Sequence, residues 1–244
     1  ILPGTYTLTS GITLPNGISI RGLSLQTVVI QMIATSNASM ITMGENCRVE
    51  DITLNLTSST NGLTLNGIVF AGTSSQTSKL RTCVLTVDDS AITTTSTVNG
   101  ALFSGTGSLN SSTFSFNSIK GSTINVRSNG AGNKRGILVS NSNQVSTRDV
   151  NIFVAQPRVT SSTGSYVGVE TNDSGNTGSI QLRSTTVGVV LPTGVQAYTA
   201  SDILQTTPAT ILDPTYLATA GIQIGPGTDL ITKSAGGKGF STYN

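Results

Sequence analysis

Asp51-Ile52-Thr53-Leu54-Asn55-Leu56 sets apolar and polar residues in strict alternation behind an acidic residue. Successive side chains of a strand face opposite ways, so Ile52, Leu54 and Leu56 are expected to point inward and Thr53 and Asn55 toward water. The element returns as Thr82-Cys83-Val84-Leu85-Thr86-Val87, Ser112-Thr113-Phe114-Ser115-Phe116-Asn117, Asp149-Val150-Asn151-Ile152-Phe153-Val154 and Ser179-Ile180-Gln181-Leu182-Arg183-Ser184. Its starts fall at positions 51, 82, 112, 149 and 179, an even step broken once by a longer one. A second element, a glycine leading into an apolar strand, follows each of the first four copies. It reads Asn66-Gly67-Ile68-Val69-Phe70, Asn99-Gly100-Ala101-Leu102-Phe103, Arg135-Gly136-Ile137-Leu138-Val139 and Tyr166-Val167-Gly168-Val169, with later copies beginning at Gly194 and Gly221.

Two strand types recurring at a loose period, joined by polar turns of variable length, predict a solenoid. One coil cannot bury its own inner face, so the next coil stacks on it in register while insertions collect in the turns. The expected fold is all-β, a right-handed parallel β-helix in a single domain. A sandwich of short alternating strands is the competing architecture, but it calls for hairpins with two-residue turns, and few are present.

Composition agrees. Only 10% of the 244 residues are charged, against about a quarter in an average domain. Ser, Thr, Asn and Gly replace the surface helix formers, while Thr, Val and Ile favour strands. The apolar residues are too evenly spread for a disordered chain. The formal charge of +2, dispersed along the sequence, predicts neither nucleic-acid binding nor adhesion to an anionic membrane. No apolar run has the length of a membrane span. The chain opens on Ile1 without a starting Met or a signal peptide, which reads as a mature product or a segment of a longer protein.

The helix is expected over residues 1–190. Beyond it, Pro192, Pro208, Pro214 and Pro226 come at short intervals, and 191–244 reads as terminal coils, a Pro/Gly-rich cap and a linker or docking tail. Cys47 and Cys83, with no His in the chain, make a poor zinc site. They read as buried, inert thiols, and a disulfide between neighbouring coils stays open.

The first thirty residues, with Leu2-Pro3-Gly4-Thr5-Tyr6, Ile12-Thr13-Leu14-Pro15-Asn16-Gly17-Ile18-Ser19-Ile20-Arg21-Gly22 and Thr27-Val28-Val29-Ile30, resemble the opening of pectin-lyase-like β-helix proteins. Elsewhere the resemblance is in coil rhythm alone. Within that superfamily the Ser/Thr/Asn-rich character is most similar to phage tailspikes and surface proteins of giant DNA viruses. The superfamily also holds lyases, hydrolases and esterases, so fold alone does not assign chemistry.

The adjacent carboxylates Asp88 and Asp89 are the weak candidates for a catalytic pair, since glycoside hydrolysis needs two carboxyl groups facing one bond. On one strand they diverge, and a polar corner closed by Ser90 is the plainer reading. The resembled hydrolases carry an Asp-Asp after Gly, a Gly-His-Gly and an Arg-x-Lys; here Val87 precedes the pair and His is absent. The missing His also removes Ser-His and Cys-His nucleophiles. Glu50-Asp51 beside Arg48 reads as a surface ion pair rather than the calcium and base set of a lyase. Gly236-Gly237-Lys238-Gly239 lacks the hydroxyl residue and the helix of a phosphate loop. Sequons fall at Asn37, Asn55, Asn110 and Asn172, of which Asn37, Asn110 and Asn172 are the glycosylation candidates.

The functional expectation is a non-catalytic structural virion protein (a fibre, spike or capsid-associated component), without cofactor or metal, on a virion surface or otherwise extracellular. The expected partners are other virion proteins and a host glycan, in a homotrimer implied by the resemblance. A glycan-binding or glycan-cleaving tailspike-like module is the alternative. An adhesin or ice-binding solenoid comes third, because the Thr pairs do not recur at one coil position.

Overall fold

Residues 1–73, 77–105, 117–140, 144–158, 164–172, 179–191, 199–205, 221–231 and 240–243 are described by the computed structural model, and every element within them is a strand. Three strands make a coil. The first coil holds β1 (Gly4–Leu8), β2 (Ile12–Leu14) and β3 (Ser19–Arg21). The second holds β4 (Val28–Ala34), β5 (Ala38–Met43) and β6 (Arg48–Glu50), and the third β7 (Thr53–Ser58), β8 (Thr64–Phe70) and β9 (Lys79–Arg81). The fourth is β10 (Val84–Thr93), β11 (Thr97–Phe103) and β12 (Asn117–Lys120). The fifth begins with β13 (Thr123–Asn129) and β14 (Gly132–Ser140). From there two long strands, β15 (Gln144–Ala155) and β17 (Ser179–Val190), each cross the third face and continue into the first face of the following coil. β16 (Gly164–Asn172), β18 (Thr199–Gln205), β19 (Gly221–Ile224) and β20 (Thr228–Ile231) complete the stack.

Every ladder between coils is parallel, so the chain is a parallel β-helix with three faces. β1, β4, β7, β10 and β13 form the first face, β2, β5, β8, β11, β14, β16 and β18 the second, and β3, β6, β9 and β12 the third. Coil length is elastic: the pairing of Gly4 with Val28 closes a short coil, whereas Thr186 pairs Asp229 across a much longer one.

Inward side chains stack rung on rung. Ile30, Leu54, Leu85, Ile124, Ile152, Val187 and Leu230 form one file on the first face, all in the buried core. Ile52, Leu54 and Leu56 are fully buried as alternation required, with Thr53 and Asn55 on the outer side. On the second face Phe70 stacks on Phe103, ring centroids 4.1 Å apart.

One backbone conformation recurs where the third face turns into the first. Asp51, Thr82, Gly121, Asp149, Ser184 and Gly227 all have positive φ, between 44° and 69°. Each sits two residues before a registered rung: Thr53, Val84, Thr123, Asn151, Thr186 and Asp229. Its N–H donates along the axis to the next coil, Asp51 to the Arg81 carbonyl (3.1 Å), Thr82 to Lys120 (2.9 Å), Gly121 to Arg148 (3.0 Å) and Ser184 to Pro226 (3.0 Å).

This corner corrects the sequence register. Copies expected at 51, 82 and 149 begin on it. The copy expected at Ser112–Asn117 does not, because the corner is Gly121 and the strand is β13; residues 112–116 lie outside the described set. Ser179–Leu182 belongs to the third face, where it pairs Gln144–Thr147, and the true copy starts at Ser184. Gly221 likewise opens β19 on the third face, not a second-face strand; Gly194 lies outside the described residues. Coiling continues past residue 190 through β18, β19 and β20. Parallel order ends where β21 (Phe240–Tyr243) runs antiparallel to β20. Pro226 fits the coil because it precedes the Gly227 corner, while Pro192, Pro208, Pro214 and the stretch 232–239 fall outside the described residues.

The second-face glycines have a different cause. A Cβ on Gly136 would lie 2.2 Å from Ile152 Cγ2, on Gly168 2.2 Å from Val187 Cγ1 and on Gly100 2.4 Å from Ile124 Cγ2. Only glycine lets the first and second faces approach so closely. Gly136→Ala is therefore expected to cost about 2 kcal/mol or more by overpacking. Thr82→Asn removes a β-branched side chain from a left-handed corner and is expected to stabilise by about 1 kcal/mol. Denaturant titration checks both, and the opposite sign at either site would contradict the corresponding assignment.

Candidate functional site

Asp88 and Asp89 sit on β10 where pairing with β13 becomes irregular, between Asp88 and Thr93. They point to opposite sides of the strand. Asp88 faces outward, accepting from the Ser90 N–H (2.9 Å) and hydroxyl (2.6 Å), with the Arg127 guanidinium 3.4 Å away. Asp89 is fully buried; its Oδ2 accepts from Thr94 Oγ1 at 2.8 Å, and its Oδ1 has no hydrogen-bond partner among the described residues. The two carboxylates share no common space, which is the divergence strand geometry dictates.

Asp89 instead faces a buried amine. The inward file Leu65, Val98, Lys134, Tyr166, Ala200 is apolar except at Lys134 and the Tyr166 hydroxyl. Lys134 is fully buried, with Nζ donating to the carbonyls of Ser96 (2.7 Å) and Ala131 and lying 5.9 Å from the centre of the Tyr166 ring. The Tyr166 hydroxyl donates to the carbonyls of Gly130 (3.1 Å) and Ser128 (3.3 Å). Burial pushes the Lys134 ammonium down to about 8, with Asp89 pulling the other way. Asp89, Lys134 and Tyr166 are all buried, so their hydrogen bonds act on the protein's own corner. Sequence reading missed Lys134 because the Gly136 irregularity breaks alternation beside it.

On the outer side of the second face Asn66 donates to Ser39 Oγ (3.1 Å) and Asn99 to Asn66 Oδ1 (2.8 Å). In the rung after Asn99, Arg135 makes a two-point ion pair with Glu170, of which the Nη2–Oε1 contact is 3.3 Å. Both side chains are nearly buried. Charge-assisted pairs of this geometry are strong, and breaking one leaves an uncompensated buried charge.

The remaining sequence candidates separate. Glu50 and Asp51 pair not with Arg48 but with other coils, Asp51 with Arg21 (2.9 Å) and Glu50 with Arg81 (3.9 Å), because registered neighbours are closer than sequence neighbours pointing the same way. No group of three potential metal ligands occurs among the described residues. Asn37 is an exposed corner residue whose Oδ1 accepts from the Thr64 N–H (2.8 Å). Asn55 lies on the outer side of β7, Asn172 ends β16, and Asn110 falls outside the described residues. Cys47 and Cys83 are free and buried. They flank the third-face strands at opposite ends, which leaves no coil-to-coil disulfide, and burial pushes the Cys83 thiol up to about 12.

No family model matches the chain, and no curated protein matches it. Among solved structures, the A-module of the Azotobacter vinelandii mannuronan C-5 epimerase AlgE4 aligns over 94% of this chain and 89% of that chain, at 10% identity. The TM-score of that alignment is 0.16, which carries no argument. The class rests on the chain's own ladders: a parallel β-helix with polar, tightly bonded corners.

Lys134 has a pH signature. Its folded pKa lies below the unfolded value of 10.5, so between about pH 8 and 10.5 the unfolded state holds more protons and stability rises with pH. Cys83 acts oppositely, its contribution fading as pH climbs from about 9 toward 12. Comparing parent and Lys134→Met isolates the first effect. The parent is expected to gain on the order of 3 kcal/mol relative to the variant across that window. Equal pH profiles in denaturant titrations would rule out the lowering of the Lys134 pKa by burial.

Proposed function

We propose that this chain is a non-catalytic structural component of a virion surface, a fibre, spike or capsid-associated element, assembled as a homotrimer with other virion proteins as neighbours. The observation that carries the reading is the unbroken inner file from Ile30 to Leu230. It spans six rung spacings, about 29 Å of continuously laddered core. Each coil is bonded to its neighbours, and stability accumulates along the axis, which suits a stiff element under load. The divergence of Asp88 and Asp89 supports the same reading, since it leaves them without the shared geometry of an acid–base pair. The Ser/Thr/Asn-rich character resembles that of viral β-helices, and the opening motif resembles that of pectin-lyase-like β-helix proteins at large.

Sedimentation equilibrium of the full chain is expected to return three times the 25.0 kDa protomer mass. A monomer at every concentration contradicts the assembled fibre. Immunogold labelling is expected to decorate intact particles, and label confined to the soluble fraction contradicts the virion assignment. Incubation with a panel of host polysaccharides is expected to leave their length unchanged; shortened chains transfer the proposal to a glycan-cleaving module.

A further inference from the structure

The third face collects charge that the sequence disperses. The last outward residue of each registered pass across the third face forms one file along the axis: Arg21, Glu50, Arg81, Lys120, Arg148 and Arg183. Two residues earlier the parallel file reads Ser19, Arg48, Lys79, Ser118, Ser146 and Gln181. Seven of the chain's 13 Lys and Arg residues therefore stand on this face, on a protein whose formal charge is only +2. Among the described residues, ion pairs join three carboxylates to them: Asp51 to Arg21, Glu50 to Arg81 at 3.9 Å, and Asp149 to Arg148 at 3.5 Å. Arg48, Lys79 and Lys120 have no carboxylate within 4 Å among the described residues, and Arg81 Nε has no hydrogen-bond partner. Arg48, Lys120 and Arg148 are exposed. The crowding is felt locally: burial and then the neighbouring Arg81 and Arg48 hold Lys79 below the usual lysine range, and burial and then Arg148 do the same to Arg183.

We infer that this cationic file is a binding surface for a linear sulfated polysaccharide. It extends over five rung spacings, about 24 Å, as a straight single ridge. Seven cations against three carboxylates among the described residues leave a net excess of about four positive charges on six rungs, and a sugar ring is itself about one rung long, so the matching polymer is linear and carries a fixed anion on most of its sugars. Five of the seven are Arg, whose planar fork engages two oxygens of one oxyanion. A single-stranded nucleic acid would ask for aromatic stacking platforms, and β3, β6, β9 and β12 contain no aromatic residue. An anionic bilayer would add apolar insertion, whereas the non-cationic residues of the two files are Ser19, Glu50, Ser118, Ser146 and Gln181. The inference does not depend on the virion assignment; it needs only this face open to solvent.

The test uses the full chain and a size-defined heparin oligosaccharide, with an unsulfated polyuronate, a single-stranded DNA 30-mer and phosphatidylserine vesicles as parallel probes. The heparin oligosaccharide is expected to bind most tightly, with affinity falling as salt rises. Lys120→Gln/Arg148→Gln/Arg183→Gln is expected to weaken that binding about tenfold or more and flatten its salt dependence, while Arg158→Gln, a cation off this face, leaves it unchanged. All substituted side chains lie on the outer surface or at a corner, so melting curves close to the parent confirm folding. Heparin binding unaffected by the triple variant, equal loss in Arg158→Gln, no heparin binding at all, or tighter binding of DNA, polyuronate or vesicles would each overturn the inference.

Discussion

A residue in left-handed conformation closes the third face of coil after coil, and its N–H reaches the carbonyl one rung further along the axis. Asp51, Thr82, Gly121, Asp149, Ser184 and Gly227 hold this corner, and four of them donate along the axis at 2.9–3.1 Å. The corner fixes phase. Whatever length is inserted elsewhere in a coil, the residue two positions later returns to the same rung, so short and long coils share one inner file. The glycine file of the second face and the cationic file of the third both inherit their alignment from it. A slip of one residue at any corner would turn every inward side chain of that coil outward.

The same constraint explains a composition poor in charge and rich in Ser, Thr and Asn. Tight corners leave backbone N–H groups unpaired, and buried donors need partners. Here the partner is a short polar side chain on an adjacent coil. Ser78 Oγ accepts from the Cys47 N–H, Asn117 Oδ1 from Ser78, Ser122 Oγ from Cys83, and Ser96 Oγ from Leu63, all at 2.8–3.1 Å. Longer charged side chains would neither fit nor bond so locally. The exception is Lys134, which reaches two carbonyls at the expense of burying an amine.

Legibility in the sequence followed these physical lines. Alternation at Ile52–Leu56 and the Gly-led strands of the second face were readable because both are local patterns. Register was readable where the corner is an Asp or Thr ahead of a clean strand, as at Asp51, Thr82 and Asp149. It was misplaced at Gly121 and Ser184 for two reasons. A glycine corner carries no polar flag, and Ser179–Leu182 places Ile180 and Leu182 two apart just as a first-face strand would, so periodicity alone does not tell the third face from the first; the phase shifts only past Ser184. The divergence of Asp88 and Asp89 was legible from strand geometry alone. The cationic file was not, because Arg81, Lys120, Arg148 and Arg183 belong to different coils, far apart in sequence, and become neighbours only once the register is known.

Structural stiffness and a charged ridge both presuppose that the coils stack in this register, so the register is the claim to test first. Thr5 and Thr186 lie six rungs apart on the outer side of the first face, through Val29, Thr53, Val84, Thr123 and Asn151. Spin labels on Thr5→Cys/Thr186→Cys, with the native thiols buried, report that separation by pulsed dipolar spectroscopy. The account predicts one narrow distribution centred at about 29 Å, widened only by the label arms. A broad or two-peaked distribution, or a mean beyond about 45 Å, would contradict the parallel stack.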